Sequence, residues 1–337
     1  MLGAAVPWAP VSSRTGRGRA ARRRAAARET SPLPPRDGLD PARLRTPPNG
    51  GWATMRDHLV DRLLQVDPVR IDALLAAGEI VTAAGPLTPT SPFTPSTTLW
   101  LYRDEPDEAP VPFPIDVLHV DGDVVVVDKP HFLATIPRGS HVRQTVLVRL
   151  RHELGLPDLS PAHRLDRATA GVLMLVRRPE LRGAYQTLFA RGRVVKTYEA
   201  VAPYDPSLRL PRTVVSRIVK RPGVLAARTE PGEPNAETRI ELDRHRDGLA
   251  RYRLHPRTGR THQLRVHLNE LGVPILGDDV YPELRRRPDG DFTRPLQLLS
   301  RSLEFDDPVT GVRRRFVSRR TLQAWDDPDG WAAGPSP

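Results

Sequence analysis

The 337-residue chain contains no cysteine. That excludes disulfides, thiolate catalysis and cysteine-ligated zinc, and it fits a reducing compartment, so a cytoplasmic protein is expected. No apolar run approaches the roughly 18 residues of a membrane span, and no charged-then-apolar leader opens the sequence, so no membrane partner is expected. No acidic residue precedes Glu29, while Arg14, Arg17, Arg19, Arg22, Arg23, Arg24 and Arg28 crowd an Ala/Gly-rich tract. Residues 1–30 therefore read as a disordered Arg-rich arm, either an aid to RNA binding or a dispensable start. Lys+Arg 51 against Asp+Glu 40 leaves a formal net charge of +11. A surplus of that size favours a polyanionic partner, nucleic acid first, although a GC-rich genome also enriches Arg, Ala and Pro.

Hydrophobic periodicity divides the rest. After a lead-in over residues 31–54, Leu59, Leu63 and Leu64, then Ile71, Leu74 and Leu75, recur at helical spacing. Gly78 then breaks into a short strand. Residues 55–105 read as a small helical unit, either a degenerate S4-like RNA-binding module or a helical cap. A proline-rich linker, with four prolines in 106–114, leads to the main domain over about 110–320 and a tail over 321–337.

Within the main domain, two β-rich runs flank Asp121-Gly122, a hairpin signal, and the unbroken run Val124–Val127 predicts a strand buried on both faces. Helices are predicted over Val146–Leu154, from Pro179 with a stripe of Leu181, Ala184, Leu188 and Phe189, and from about Thr261 to Leu271. Strands are predicted over 196–201, 213–219, 238–242, 249–254, 296–305 and 313–318. Many strands and few helices indicate an α+β fold with a large mixed, mostly antiparallel sheet. No internal repeat is visible.

Four blocks concentrate the chemistry. In His163-Arg164-Leu165-Asp166-Arg167-Ala168-Thr169-Ala170-Gly171, one carboxylate stands between two arginines ahead of an apolar strand. Guanidinium neighbours hold a carboxylate ionised and aim it, which makes Asp166 a candidate nucleophile or electrostatic stabiliser. The others are Asp123–Pro130, Lys196-Thr197-Tyr198, and Thr258–Leu268 followed by Gly272–Asp278. His262 and His267, five apart, do not form the i, i+4 pair of a helical zinc site, and no metal is expected.

In this order, the blocks resemble the HRLD-x-x-T-[SA]-G, N-K-P, K-x-Y and T-G-R-T-H-Q-I-R-V-H…G-x-P-I-x-G-D motifs of the RluA-type RNA pseudouridine synthases, over roughly residues 115–318. The resemblance implies a central cleft flanked by helices, and isomerisation of uridine to pseudouridine without metal or cofactor. It implies Asp166, Tyr198 and Arg265 as catalytic residues. Arg164, Arg260, His262, Leu298 and Lys129 are the expected substrate contacts, Lys129 through phosphate. The expected partner is RNA, ribosomal RNA before tRNA, and the expected state a monomer. Departures from the pattern are Ala168 and Ala170 for polar residues, Asp128 for Asn, His131-Phe132 for Ala-Gly, and Leu299-Ser300 for His-Ala.

Overall fold

The computed structural model describes residues 30–64, 66–102 and 107–333. The expected Arg-rich arm lies almost wholly outside them. The described chain forms two compact units.

The smaller unit, within residues 40–104, holds strand β1 (Ala42–Arg45), helices α1 (Met55–Arg62) and α2 (Pro68–Ala76), and strands β2 (Ile80–Thr82), β3 (Gly85–Pro86) and β4 (Thr98–Leu101). β1 pairs antiparallel with β4, so residues read as a lead-in supply an edge strand here. Thr54 caps α1 through a reciprocal capping box with Asp57, and Pro68 opens α2 behind Asp67. Leu64 is not on the apolar face: it lies past the end of α1 and is exposed, while Met55 and Leu59 fill the core.

The larger unit carries the ten-stranded sheet. Its elements are β5 (Asp116–Val120), β6 (Val124–Lys129), α3 (Val146–Leu154), β7 (Ser160–Pro161), β8 (Ala170–Val176), α4 (Arg182–Ala190), β9 (Val195–Pro203), β10 (Arg212–Ser216), β11 (Ile218–Val219), β12 (Arg228–Thr229), β13 (Ala236–Arg246), β14 (Leu249–Pro256), α5 (Gln263–Glu270), β15 (Leu298–Asp306), β16 (Arg313–Val317), α6 (Gln323–Asp326) and α7 (Pro328–Ala333). The sheet runs β10-β13-β14-β9-β15-β8-β6-β5, with β16 on β15 and β7 on β8. Among these pairs only β15 and β8 run parallel.

Every residue of β6 and β8 is buried. Alternation sends Val125, Val127, Leu173 and Leu175 to one face, against α3, and Val124, Val126, Val172, Met174 and Val176 to the other, against Tyr185 and Leu188 of α4. On α4 the buried residue is Tyr185 rather than Ala184, because the helix begins after a 3-10 turn at Pro179–Leu181 that rotates its inward face. The strand expected over 213–219 is split: β10 joins the main sheet, and β11 pairs only with β12. A third core packs β9, β13 and β14 against Leu264 and Leu268 of α5.

Gly171 sets the join between the two halves of the sheet. It has φ +109°, and a Cβ there would lie 2.3 Å from the carbonyl oxygen of Ser300 on β15. Only a residue without a side chain lets β8 and β15 meet. Gly171→Ala is expected to cost about 2 kcal/mol or more in stability, read as a lower urea midpoint.

Candidate active site

The Asp166 loop spans residues 162–169, between β7 and β8, and its backbone is held from one neighbouring segment. Lys129, at the end of β6, is fully buried. Its Nζ donates to the carbonyls of Pro130 (2.9 Å), Leu133 (2.7 Å) and Arg167 (3.2 Å). His131 Nδ1 donates to Ala168 O at 2.7 Å, and Thr135 Oγ1 donates to Leu165 O at 2.8 Å. Thr169 N closes the turn on Asp166 O at 3.1 Å. Lys129 therefore does not face phosphate. All three of its donors are used inside the protein, because the strand that delivers it is buried on both faces.

Asp166 is also not held by its sequence neighbours. Arg164 lines the cleft, and Arg167 turns away, its guanidinium 6.0 Å from the Phe132 ring centroid. The nearest basic groups come from α5 and the residue before it: the guanidinium of Arg265, Nη1 at 3.9 Å, and the imidazole of His262, Nε2 at 4.0 Å from Asp166 Oδ2. Arg265 is 3% exposed, because the face of α5 opposite its leucines is buried as well. Its Nε donates to Asp278 Oδ2 (2.7 Å) and its Nη2 to Asp278 Oδ1 (2.5 Å). Asp278 also accepts from the backbone of Val280 and Tyr281. Burial opposes the Arg265 charge, but the bonds and charge of Asp278, aided by Asp166, push its pKa up. The arginine is thus a fixed cation whose third nitrogen is aimed at Asp166.

His262 enters α5 from the left-handed region, φ 59°, with Nδ1 3.1 Å from the Tyr281 hydroxyl. Burial lowers its pKa while Asp166 opposes that shift. Gln263 fixes the preceding loop, accepting from Arg260 N and Thr258 Oγ1 and donating to Glu237 O and Thr238 Oγ1. His267 is buried between the Ser216 and Thr238 hydroxyls, out of reach of any substrate.

Tyr198, on β9, packs against two of the three main cores, so its ring stands where they meet. Burial pushes its phenol up to about 12; the Ser300 hydroxyl pulls against this and the Asp166 charge adds to it. Leu298 of β15 is 3% exposed and forms the apolar wall.

These side chains line one inner pocket of about 110 Å³: Asp166, Tyr198, Arg265, Arg164, Arg260, His262 and Leu298. That is several times the ~10–15 Å³ that seats one water. A cavity of about 810 Å³ shares Asp166, Tyr198 and Lys196 with it and reaches Arg191 and Arg257. A lone carboxylate, an aromatic ring and an apolar wall inside a basic cleft suit a planar base attached to a phosphate backbone. Two further residues belong to this geometry. Asp278 stood in a recognised motif, and a buried arginine requires a carboxylate. Lys196 stood in K-x-Y, one pleat before Tyr198.

A family model described as RNA pseudouridylate synthase matches residues 123–270. An uncharacterized RNA pseudouridine synthase of Synechocystis is 31% identical over 230 residues, covering 67% of this chain and 79% of that protein. The chain belongs to the RNA pseudouridine synthase family. Among its relatives, the ribosomal large subunit pseudouridine synthase D of Xylella fastidiosa is 26% identical over 82% of this chain and 88% of its own length. That of Yersinia pestis is 32% identical over 54% and 57%. A solved structure of human RNA pseudouridylate synthase domain containing 4 superposes with a TM-score of 0.49 at 25% identity, covering 66% of this chain and 94% of that one.

Two outcomes follow. Asp278→Ala removes the bidentate partner of buried Arg265 and leaves it Asp279 at 3.3 Å and Asp166 at 3.9 Å; it is expected to cost up to roughly 3–5 kcal/mol, seen as a lowered urea midpoint together with lost activity. Burial holds His131 at about 4, His163 at about 3 and His267 at about 4, against an ordinary value of 6.5. The unfolded chain therefore binds more protons than the folded one between those values. The stability these histidines preserve is complete above pH ~6.5 and is lost as pH falls toward 4. Melting temperature is expected to drop between pH 7 and pH 5.

Proposed function

We propose that this RNA pseudouridine synthase modifies uridine in large-subunit ribosomal RNA, acting as a cytoplasmic monomer. The observation that carries the chemistry is Asp166 facing Tyr198 and Arg265 across one pocket. Support for the substrate comes from relatives named as ribosomal large subunit enzymes.

Conversion of uridine breaks the C1′–N1 bond, rotates the base and joins C5 to C1′, releasing the C5 proton. Positive character develops at C1′ when the bond breaks, and the Asp166 carboxylate stabilises it there, either as a charge or by bonding. Arg265, 3.9 Å away, places a fixed positive charge beside that carboxylate. Tyr198 and Leu298 hold the base once it has left its stack. With its phenol pushed up to about 12, Tyr198 is protonated at neutral pH and serves as a platform and hydrogen-bond donor, not as a ready base.

Asp166→Ala is expected to abolish tritium release from C5-labelled uridine RNA while binding stays within a few-fold. Pseudouridine mapping in a deletion strain should show a site lost from large-subunit rRNA; a site lost only from tRNA would move the substrate. The rate of the parent enzyme should show no alkaline step from Tyr198 below about pH 11, since the phenol stays protonated there.

A further inference from the structure

Among the described residues, Lys196 is a cation left without a counter-charge. It lies two residues before Tyr198 on β9, so both side chains leave the same face of the strand, toward the cleft. It is half-buried, and its Nζ donates to one backbone carbonyl, Thr258 O, at 2.9 Å. An ammonium has three donors, so two remain for a ligand. Among the described residues no carboxylate pairs with it: Asp166 faces Arg265 and His262, and Glu237, lining the larger cavity, pairs with Arg257 at 3.2 Å. Burial is the cause that lowers its pKa, to about 8.

Its position is as informative as its charge. Lys196 lines both the 110 Å³ pocket and the 810 Å³ cavity, within the seam the two share with Asp166, Tyr198, Arg164 and Arg260. A partly buried cation is costly unless something anionic meets it. Uracil is neutral and cannot supply that charge. The nearest anion on any uridine that has entered the inner pocket is the phosphodiester beside its ribose.

We propose that Lys196 forms a phosphate subsite at the junction of the two cavities, gripping the RNA backbone next to the uridine held by Tyr198 and Asp166. The subsite rests on the RNA pseudouridine synthase reading but not on which RNA is the substrate. It makes Lys196 a positioning residue: it fixes how far the nucleotide enters, and it takes no part in breaking or making a bond.

The test uses the full chain, with Lys196→Met and Lys196→Arg. The substrate is an RNA transcript carrying the mapped target uridine, in parent form and with a single uncharged methylphosphonate on either side of the target. For Lys196→Met, KM is expected to rise roughly tenfold, the effect of one charge-assisted hydrogen bond, while kcat stays within a few-fold. The salt slope of binding should fall by about one. Lys196→Arg should restore both, which excludes misfolding as the cause. One of the two methylphosphonates should weaken the parent enzyme and leave Lys196→Met unaffected. Equal weakening of both proteins by each methylphosphonate overturns the proposal, as does a kcat loss at unchanged KM. So does competition by uridine monophosphate with no methylphosphonate effect, which would assign the subsite to a free phosphate group. If the parent enzyme acts on tRNA and not on rRNA transcripts, the substrate reading fails, and the Lys196 comparison is read on tRNA instead.

Discussion

The buried ammonium of Lys129 is the constraint on which the active site depends. Its three hydrogen bonds join the end of β6 to the turn that follows and to the backbone of Arg167, one residue past Asp166. The sheet thereby fixes the Asp166 loop at its most sensitive point. Thr135 and His131 add bonds at Leu165 and Ala168, so the backbone is held on both sides of the aspartate. The Asp166 side chain takes no part in holding its own loop and stays available to substrate. A carboxylate that anchored its own turn would have its lone pairs engaged.

Electrostatics in the cleft follows the same division of labour. Asp278 neutralises Arg265 and sets its plane, while Arg265 meets Asp166 only at 3.9 Å. A direct bidentate pair between Arg265 and Asp166 would have been tighter and less useful, since it would tie up the oxygens needed at C1′. Keeping the strong pair one layer back leaves a directed positive field at Asp166 and an oxygen free to act.

Much of this was legible in the sequence, the site from motif resemblance and the fold from physical pattern. Asp166, Tyr198, Arg265, Arg164, Arg260, His262 and Leu298 were marked by the resemblance of their motifs, and all line one pocket. The α+β class and the mostly antiparallel sheet followed from periodicity. What the sequence hid was the aim of long side chains. Lys129 and Lys196 both looked like strand lysines, yet one is fully buried and the other faces the cleft. For Lys129 a signal existed: a lysine closing a strand buried on both faces has no solvent side to reach. The two arginines beside Asp166 misled in the opposite way. Adjacent residues in a turn diverge, and the partner that matters comes from about 100 residues later in the chain, across the fold.

Some departures from the family pattern are explained by local compensation. Asp128 stands where Asn is usual. Ser318 Oγ and Arg319 N donate to its oxygens, and Arg320 Nε lies 3.6 Å away. The Arg319 N–H needs an acceptor at Oδ2, and the Arg320 guanidinium beside Oδ1 suits an oxygen better than an amide nitrogen. Ala168 has no polar side chain with which to brace the turn, but its carbonyl is taken by His131, which replaces an alanine of the pattern. Phe132 replaces a glycine and keeps the positive φ, 64°, that a glycine would favour. That backbone costs about 1–2 kcal/mol. Burying the ring, 4% exposed beside Phe113 and Phe292, returns roughly 1.5–3 kcal/mol. The balance favours the phenylalanine, whose ring also carries the guanidinium of Arg167 at one side. At Ala168, His131 and Phe132 the departures sit in the loop or in the segment that holds it, so this variation alters how the Asp166 backbone is held.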